Sequence, residues 1–167
     1  MTTRICFRPI GVIHSPFTTH TGTPVQAALS SATGTAEVFP AYAEGLSDLE
    51  GFSHIMLIYV FHRSRGFQLR ERPLLDAGRK QGIFAIRHYR RPNPIGISIV
   101  QIQKICSPCI EFTGADMLDG SPLLDIKPFI AVFDNRIGSV HGWFDTCPRP
   151  LVAEHRPPRK NKGEDTV

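Results

Sequence analysis

The chain nowhere spaces its apolar residues at the 3.6-residue period of an amphipathic helix, and this absence constrains its fold more than any segment present. Phe52–Phe61 (FSHIMLIYVF) instead strings aromatic and β-branched residues together, opened by Gly51 and closed by His62-Arg63-Ser64. Such a run predicts a strand at the centre of a sheet. Shorter runs predict further strands at Pro9–Phe17, Thr35–Val38, Gly82–Ile86, Ile95–Ile105, Ile110–Thr113 and Leu123–Lys127. Thr18–Thr35 reads as a long loop, Ala41–Leu46 as a brief helical turn, and residues 63–82 as an exposed excursion. Many short strands punctuated by 14 Gly and 14 Pro point to a mainly β domain, barrel-like or sandwich-like.

A chain of 167 residues with 41% hydrophobic and 20% charged composition holds one domain with a real core. Residues 1–147 are read as that domain. Residues 148–167 have little to bury and are read as a flexible tail. The first residues lack the apolar core of a signal peptide, and no run is long enough to cross a bilayer, so a cytoplasmic protein with no membrane partner is expected. Of the four cysteines, Cys106 and Cys109 have the spacing of half a zinc or redox site, but no second pair completes it; reduced, structural thiols are expected and no metal. No Gly-rich dinucleotide motif, P-loop or GxSxG elbow is present, which excludes those site types. The net charge is +4, and the stretch from His62 to Arg91 carries nine Lys/Arg against Glu71 and Asp76. A basic face of this kind suits phosphates or other anions.

Residues 87–98, Arg-His-Tyr-Arg-Arg-Pro-Asn-Pro-Ile-Gly-Ile-Ser, are unlike a core element. Pro92 and Pro94 fix φ at alternate positions and remove two N–H donors, and Arg91 and Asn93 are pushed to extended geometry. The result is a stiff arch feeding a strand that begins at Ile95. A rigid backbone holds polar groups in place, as a ligand site requires.

Four segments, taken together, resemble one family. PIGVIHSPF at 9–17, GFSHIMLIYVFHR at 51–63, RRPNPIGIS at 90–98 and DMLDGSPLLDIKPFI at 116–130 occur in the order and approximate spacing of the TsaA-like, or TrmO-like, proteins. The similarity runs from about Arg8 to Asp145. It implies a β-barrel that uses S-adenosyl-L-methionine to methylate tRNA, at N6 of the threonylcarbamoyl-modified adenosine beside the anticodon. It also implies a homodimer. Matched motif by motif, the cofactor would meet Pro24, Val25 and Gln26, then His62 and Arg63, Arg87 and Ile97, and the turn Leu118, Asp119, Gly120 and Ser121. Arg87 suits the ligand carboxylate, and His62 or Asp125 suits the proton on N6. His14 is read as structural. The chain departs from the family pattern at Val25, where a basic residue is usual, and at Arg90, where Phe is usual; longer members add a C-terminal domain. Two alternatives accompany this reading: a cofactor-binding sensor without catalysis, and a methyltransferase with another acceptor.

Overall fold

Strict alternation shapes the central strand. In the computed structural model, which describes residues 5–75 and 78–146, β3 (His54–Val60) buries Ile55, Leu57 and Tyr59 and turns His54, Met56, Ile58 and Val60 the other way. Its neighbours are β6 (Ile95–Cys106) on one side and β8 (Ser121–Pro128) on the other, both antiparallel. The wall continues from β8 to β1 (Gly11–His14), β2 (Thr33–Val38) and β7 (Cys109–Thr113), which returns to β6. Six strands therefore close in the order β1-β2-β7-β6-β3-β8. Closure leaves no unpaired edge. Two short strands, β4 (Arg70–Glu71) and β5 (Gln81–Gly82), form a separate pair.

The barrel interior is filled by one inward row from each strand. Ile13, Val38, Ile55, Leu57, Tyr59, Val100, Ile110, Phe112 and Leu123 are each 0–2% exposed, and Leu46, Leu49 and Met117 pack against them from the connections. Burial of each large side chain is worth roughly 1.5–3 kcal/mol. Gly96 lies opposite Tyr59, whose ring covers it: a β-carbon there would fall 2.4 Å from the phenol ring. The aromatic ring fills the space that the glycine leaves, so the pair behaves as one unit.

One expected strand is a turn. Of the anticipated Gly82–Ile86 strand only Gly82 pairs, together with Gln81 before it, and Ile83–Ala85 forms a 3-10 turn. Ile83 and Ile86 are buried while Phe84 is 77% exposed, a spacing of three that suits a 3-10 turn and not alternation. The Thr18–Thr35 loop contains a short 3-10 turn at Ala27–Leu29, and β2 begins two residues earlier than expected, at Thr33. The anticipated helical turn exists as Pro40–Leu46. The proposed tail at 148–167 and Cys147 lie outside the described residues, as do Asp76 and Ala77. Among the described residues, Cys6, Cys106 and Cys109 are free thiols, and no helix is long and apolar enough to cross a membrane.

Gly96→Ala should force the Tyr59 ring out of its place, and overpacking of this kind costs typically 1–3 kcal/mol. Urea unfolding of the variant should give an unfolding free energy lower by that amount; an unchanged value would show that the ring is loosely held.

Candidate functional site

An antiparallel closed barrel sorts its connections between two ends. The loops after β1 (15–32), after β3 (61–94) and after β7 (114–120) all emerge at one mouth. Pro24, Val25 and Gln26 lie in the first, His62, Arg63 and Arg87 in the second, and Leu118, Asp119 and Gly120 in the third, with Ser121 opening β8. Because β3 ends where β6 and β8 begin, the proline arch and the Asp-Gly turn flank the same point. The Phe61 N–H donates to Pro94 O at 2.8 Å on one side, and His62 Nδ1 lies 3.4 Å from Ser121 Oγ on the other.

The turn is held by β1. Asp119 N–H donates to Phe17 O at 2.7 Å and Gly120 N–H to Ile13 O at 2.9 Å, while the Asp119 carboxylate accepts from Ser15 N–H at 3.2 Å. Gly120 has φ +75°, which strains any L side chain, and a β-carbon there would point at His62 Nε2, 4.0 Å away. His14 sits between Glu37, 3.1 Å, and Asp119, 3.5 Å.

Neighbouring hydrogen-bond partners bear on the form of His62. Ser121 Oγ gives its single proton to Leu118 O at 2.7 Å, so it meets His62 Nδ1 as an acceptor. The tautomer with its proton on Nδ1 meets this acceptor and turns the Nε2 lone pair towards Gly120. Partial burial, followed by the neighbouring Arg63 charge, lowers the pKa of His62 below its ordinary 6.5. The ring is neutral at pH 7 and can accept a proton.

The sequence reading overlooked a second cluster. Arg87 Nη1 donates to Gln26 Oε1, which joins two of the three loops. Beside them the half-buried Asp116 accepts from Ser98 Oγ at 2.5 Å, and Ser98 in turn lies 3.1 Å from the buried Tyr59 hydroxyl. With the serine proton spent on Asp116, Tyr59 must donate to Ser98, so a relay runs from the barrel interior to the mouth. Burial raises the Asp116 pKa from 3.8 to about 6, against the lowering effects of Ser98, the Ala27 backbone and Arg87. Burial, then the Asp116 charge, also raises Tyr59. The only sequence signal for this cluster was an acidic residue three positions before the Asp-Gly turn.

The basic excursion is less free than its composition suggested. Arg63 donates to Thr18 O at 2.6 Å, Arg70 to Lys80 O at 3.2 Å, and Arg91 to both Ile83 O and Ile86 O at 2.9 and 2.8 Å. Arg90 lies 3.6 Å from Glu71. These arginines brace loops as well as charge them.

Two expected site residues are not at the mouth. Ile97 points outward from β6 and is 63% exposed. Asp125 pairs with Ile58 on the outer face of β8; its carboxylate lies 2.8 Å from Lys127 Nζ and accepts from Ile126 N–H. The bulge at Ile58/Tyr59 shifts the alternation of β8, so Leu123 and Ile126 take the inward places and Asp125 does not. Ile97 and Asp125 share one row of the outer wall, with Ile58 between them.

Residues 12–135 match the family model of the tRNA-methyltransferase O N-terminal domain. The chain belongs to this family. A probable S-adenosyl-L-methionine-binding protein of Pyrococcus abyssi is 48% identical over 142 residues, 84% of this chain and 77% of that protein. The tRNA (adenine(37)-N6)-methyltransferase of mouse is 34% identical over 134 residues, 76% of this chain but 31% of its own length. The crystal structure of TrmO from Pseudomonas aeruginosa superposes with a TM-score of 0.74 at 33% identity, covering 87% of this chain and 65% of that one. The match thus spans about two thirds of the Pseudomonas TrmO chain and under a third of the mouse enzyme. The barrel of the tRNA-methyltransferase O family is the fold seen here, as the sequence led us to expect.

The raised pKa of Asp116 has a sign that can be tested. A carboxyl that binds its proton more tightly in the folded chain stabilises the fold below pH 4 and loses that contribution as pH rises through about 6. Asp116→Asn keeps an acceptor for Ser98 but cannot ionise. At pH 8 its unfolding free energy should exceed that of the parent by roughly 1–3 kcal/mol, and near pH 3.5 the two should coincide. Urea titrations at both pH values measure the difference.

Proposed function

We propose that this protein transfers a methyl group from S-adenosyl-L-methionine to N6 of the threonylcarbamoyl-modified adenosine beside the tRNA anticodon. The observation that carries this reading is the convergence at one mouth of His62, a glycine turn facing its Nε2, and an arginine-glutamine pair that ties the His62 loop to the loop after β1. The names of the relatives, as S-adenosyl-L-methionine-binding proteins and as a tRNA (adenine(37)-N6)-methyltransferase, support the same chemistry.

The residues present fit such a cofactor. Gly120 leaves room for close approach, the buried Leu118 and half-buried Val25 offer apolar wall, and Gln26 meets Arg87 without neutralising its charge, which is left for a carboxylate. Asp119, fixed by Ser15, offers an acceptor for a hydroxyl or an ammonium. The cofactor supplies a methyl group on a positive sulfur, already activated for displacement. The protein's own contribution is alignment, exclusion of water and proton removal: as the N6–CH3 bond forms and the S–CH3 bond breaks, the N6 proton passes to His62 Nε2, leaving S-adenosylhomocysteine and the methylated base. The excess of Lys/Arg between His62 and Arg91 supports contact with the phosphates of the anticodon stem.

We further assign a homodimer to the outer wall. Cross-strand pairs Met56–Ile99, Ile58–Ile97 and Val60–Ile95 form a continuous apolar patch there. Ile95, Ile97 and Ile99 are 36%, 63% and 45% exposed. Asp125 borders the patch in the Ile97 row. Seating this wall against the mouth of a second copy covers the patch and brings Ile97 and Asp125 to the partner's site, which accounts for matched site residues that the monomer does not gather. A cytoplasmic location accords with a tRNA substrate.

Labelled S-adenosyl-L-methionine incubated with total tRNA should yield a labelled, modified adenosine, and His62→Ala should slow this by about 100-fold or more. Because the His62 pKa is lowered, kcat should stay level across neutral pH and fall only at pH values below the ordinary histidine midpoint of 6.5. Cofactor binding without any labelled nucleoside would favour the sensor reading. For the shared site, mixing His62→Ala with Asp125→Ala protein under exchange conditions should restore about a quarter of the parental rate, since half of the statistical dimers would hold one intact site. No recovery, despite subunit exchange, would place both residues in separate roles within one chain.

A further inference from the structure

Three rings stack face to face at the rim of the mouth. His20 and Tyr89 lie with centroids 4.3 Å apart and planes 11° from parallel, and Tyr89 and His88 follow at 4.5 Å and 24°. By contrast His54–Phe129, Tyr59–Phe61 and Trp143–Phe144 are edge-on at 65°, 78° and 83°. Edge-on packing is common between core aromatics, whereas a parallel ladder has the geometry of stacked bases. The ladder also has direction. His88 is buried, Tyr89 half-buried and His20 exposed, so the stack rises from the protein and ends on a ring in solvent.

That end is firmly placed. Arg63 donates to Thr18 O, and Thr23 Oγ1 to Thr19 O at 2.6 Å, which holds the stretch carrying His20 against the 61–94 loop. His20 is near enough to His62 for their charges to interact. The lower rings wall a groove of about 380 Å³ that Arg72 and Arg90 also line. Glu71 also lines the groove; its contact with Arg90 is a loose one at 3.6 Å, and a phosphate can displace it from the arginine.

We propose that the exposed face of His20 is a stacking platform for an unpaired RNA base next to the base that is methylated, with Arg72 and Arg90 taking the adjoining phosphates. This rests on the RNA methyltransferase reading and adds a subsite to it. A single-stranded loop presents splayed bases from outside, and an open terminal ring with cations beside it meets them without sequence selectivity. His20 lies outside the Pro24–Gln26 segment assigned to the cofactor, so the two sites are separable.

The test uses an anticodon stem-loop RNA carrying 2-aminopurine beside the target adenosine, titrated against the full chain. Binding of the parent should quench the fluorescence and weaken steeply with salt. His20→Ala should weaken RNA binding by about 5- to 100-fold and abolish most of the quench, and His20→Trp should restore both. Calorimetry with S-adenosylhomocysteine should give the same affinity for all three proteins. If the parent binds RNA in a salt-dependent way and His20→Ala binds equally well, the platform is wrong and the RNA reading stands. If His20→Ala loses S-adenosylhomocysteine binding in parallel, the ring belongs to the cofactor pocket and the platform is overturned. If the parent itself shows no salt-dependent RNA binding, the RNA reading falls and the platform with it.

Discussion

Every contact at the mouth depends on β3 having an antiparallel partner on both sides. Tyr59 pairs with Gly96 of β6 and with Leu123 of β8, and the strand runs out one residue later. Two segments far apart in the chain, the proline arch before β6 and the Asp-Gly turn before β8, must therefore begin where β3 ends. His62 then needs no special device to meet Ser121: it is the first side chain beyond the strand that has an opening turn beside it. Had β3 been an edge strand, one of the two segments would have no reason to be there. Closure of the barrel through β1 and β8 adds the third element, because the end of β1 holds the Asp-Gly turn through Ile13 and Phe17.

The electrostatics of this mouth divide between groups that hold the loops and groups left for chemistry. Arginines donating to carbonyls at Thr18, Lys80, Ile83 and Ile86 use charge to tie backbone, which costs little because the guanidinium remains partly in water. Asp116 is different. Its carboxylate is half-buried between Ser98 and the Ala27 backbone, near Arg87, and burial works against its ionisation. A destabilised carboxylate under the loop that bears Gln26 fits a common pattern, in which a binding site gives up stability for fixed polar geometry. The Tyr59–Ser98–Asp116 relay links that geometry to the barrel core, where Tyr59 is immobilised by Gly96.

The outer wall has a logic of its own. A barrel strand that alternates strictly must show its second row to something, and in β3 and β6 that row is Met56, Ile58, Val60, Ile95, Ile97 and Ile99. Adjacent exposed isoleucines are unusual on a face meant for water. The homodimer proposed above is the arrangement that reconciles the apolar row with the motif-matched positions of Ile97 and Asp125, which one chain alone keeps away from His62.

Much of this was legible along the chain. Alternation and β-branching in Phe52–Phe61 determined a buried central strand; Gly and Pro set the breaks; and the motifs at 9–17, 51–63, 90–98 and 116–130 indicated the family. These are local properties, fixed by each residue's backbone preferences and its neighbours. At Ile83–Ala85 the sequence predicts a strand where a 3-10 turn forms, because the unbroken apolar run Ile83-Phe84-Ala85-Ile86 fits either period. What only the tertiary structure decided is which side chains meet. Asp116, Ser98 and Tyr59, or His20, Tyr89 and His88, come together from separate loops and strands, and no spacing along the sequence encodes such a distance. The outward turn of Asp125 likewise follows from a bulge opposite Ile58, and a slip of one residue in register exchanges the two faces of a strand. The sequence by itself determined a β-barrel of this family and the segments that form its mouth. Pairing and closure decided the rest, because they alone set which face each residue shows and which distant groups it reaches.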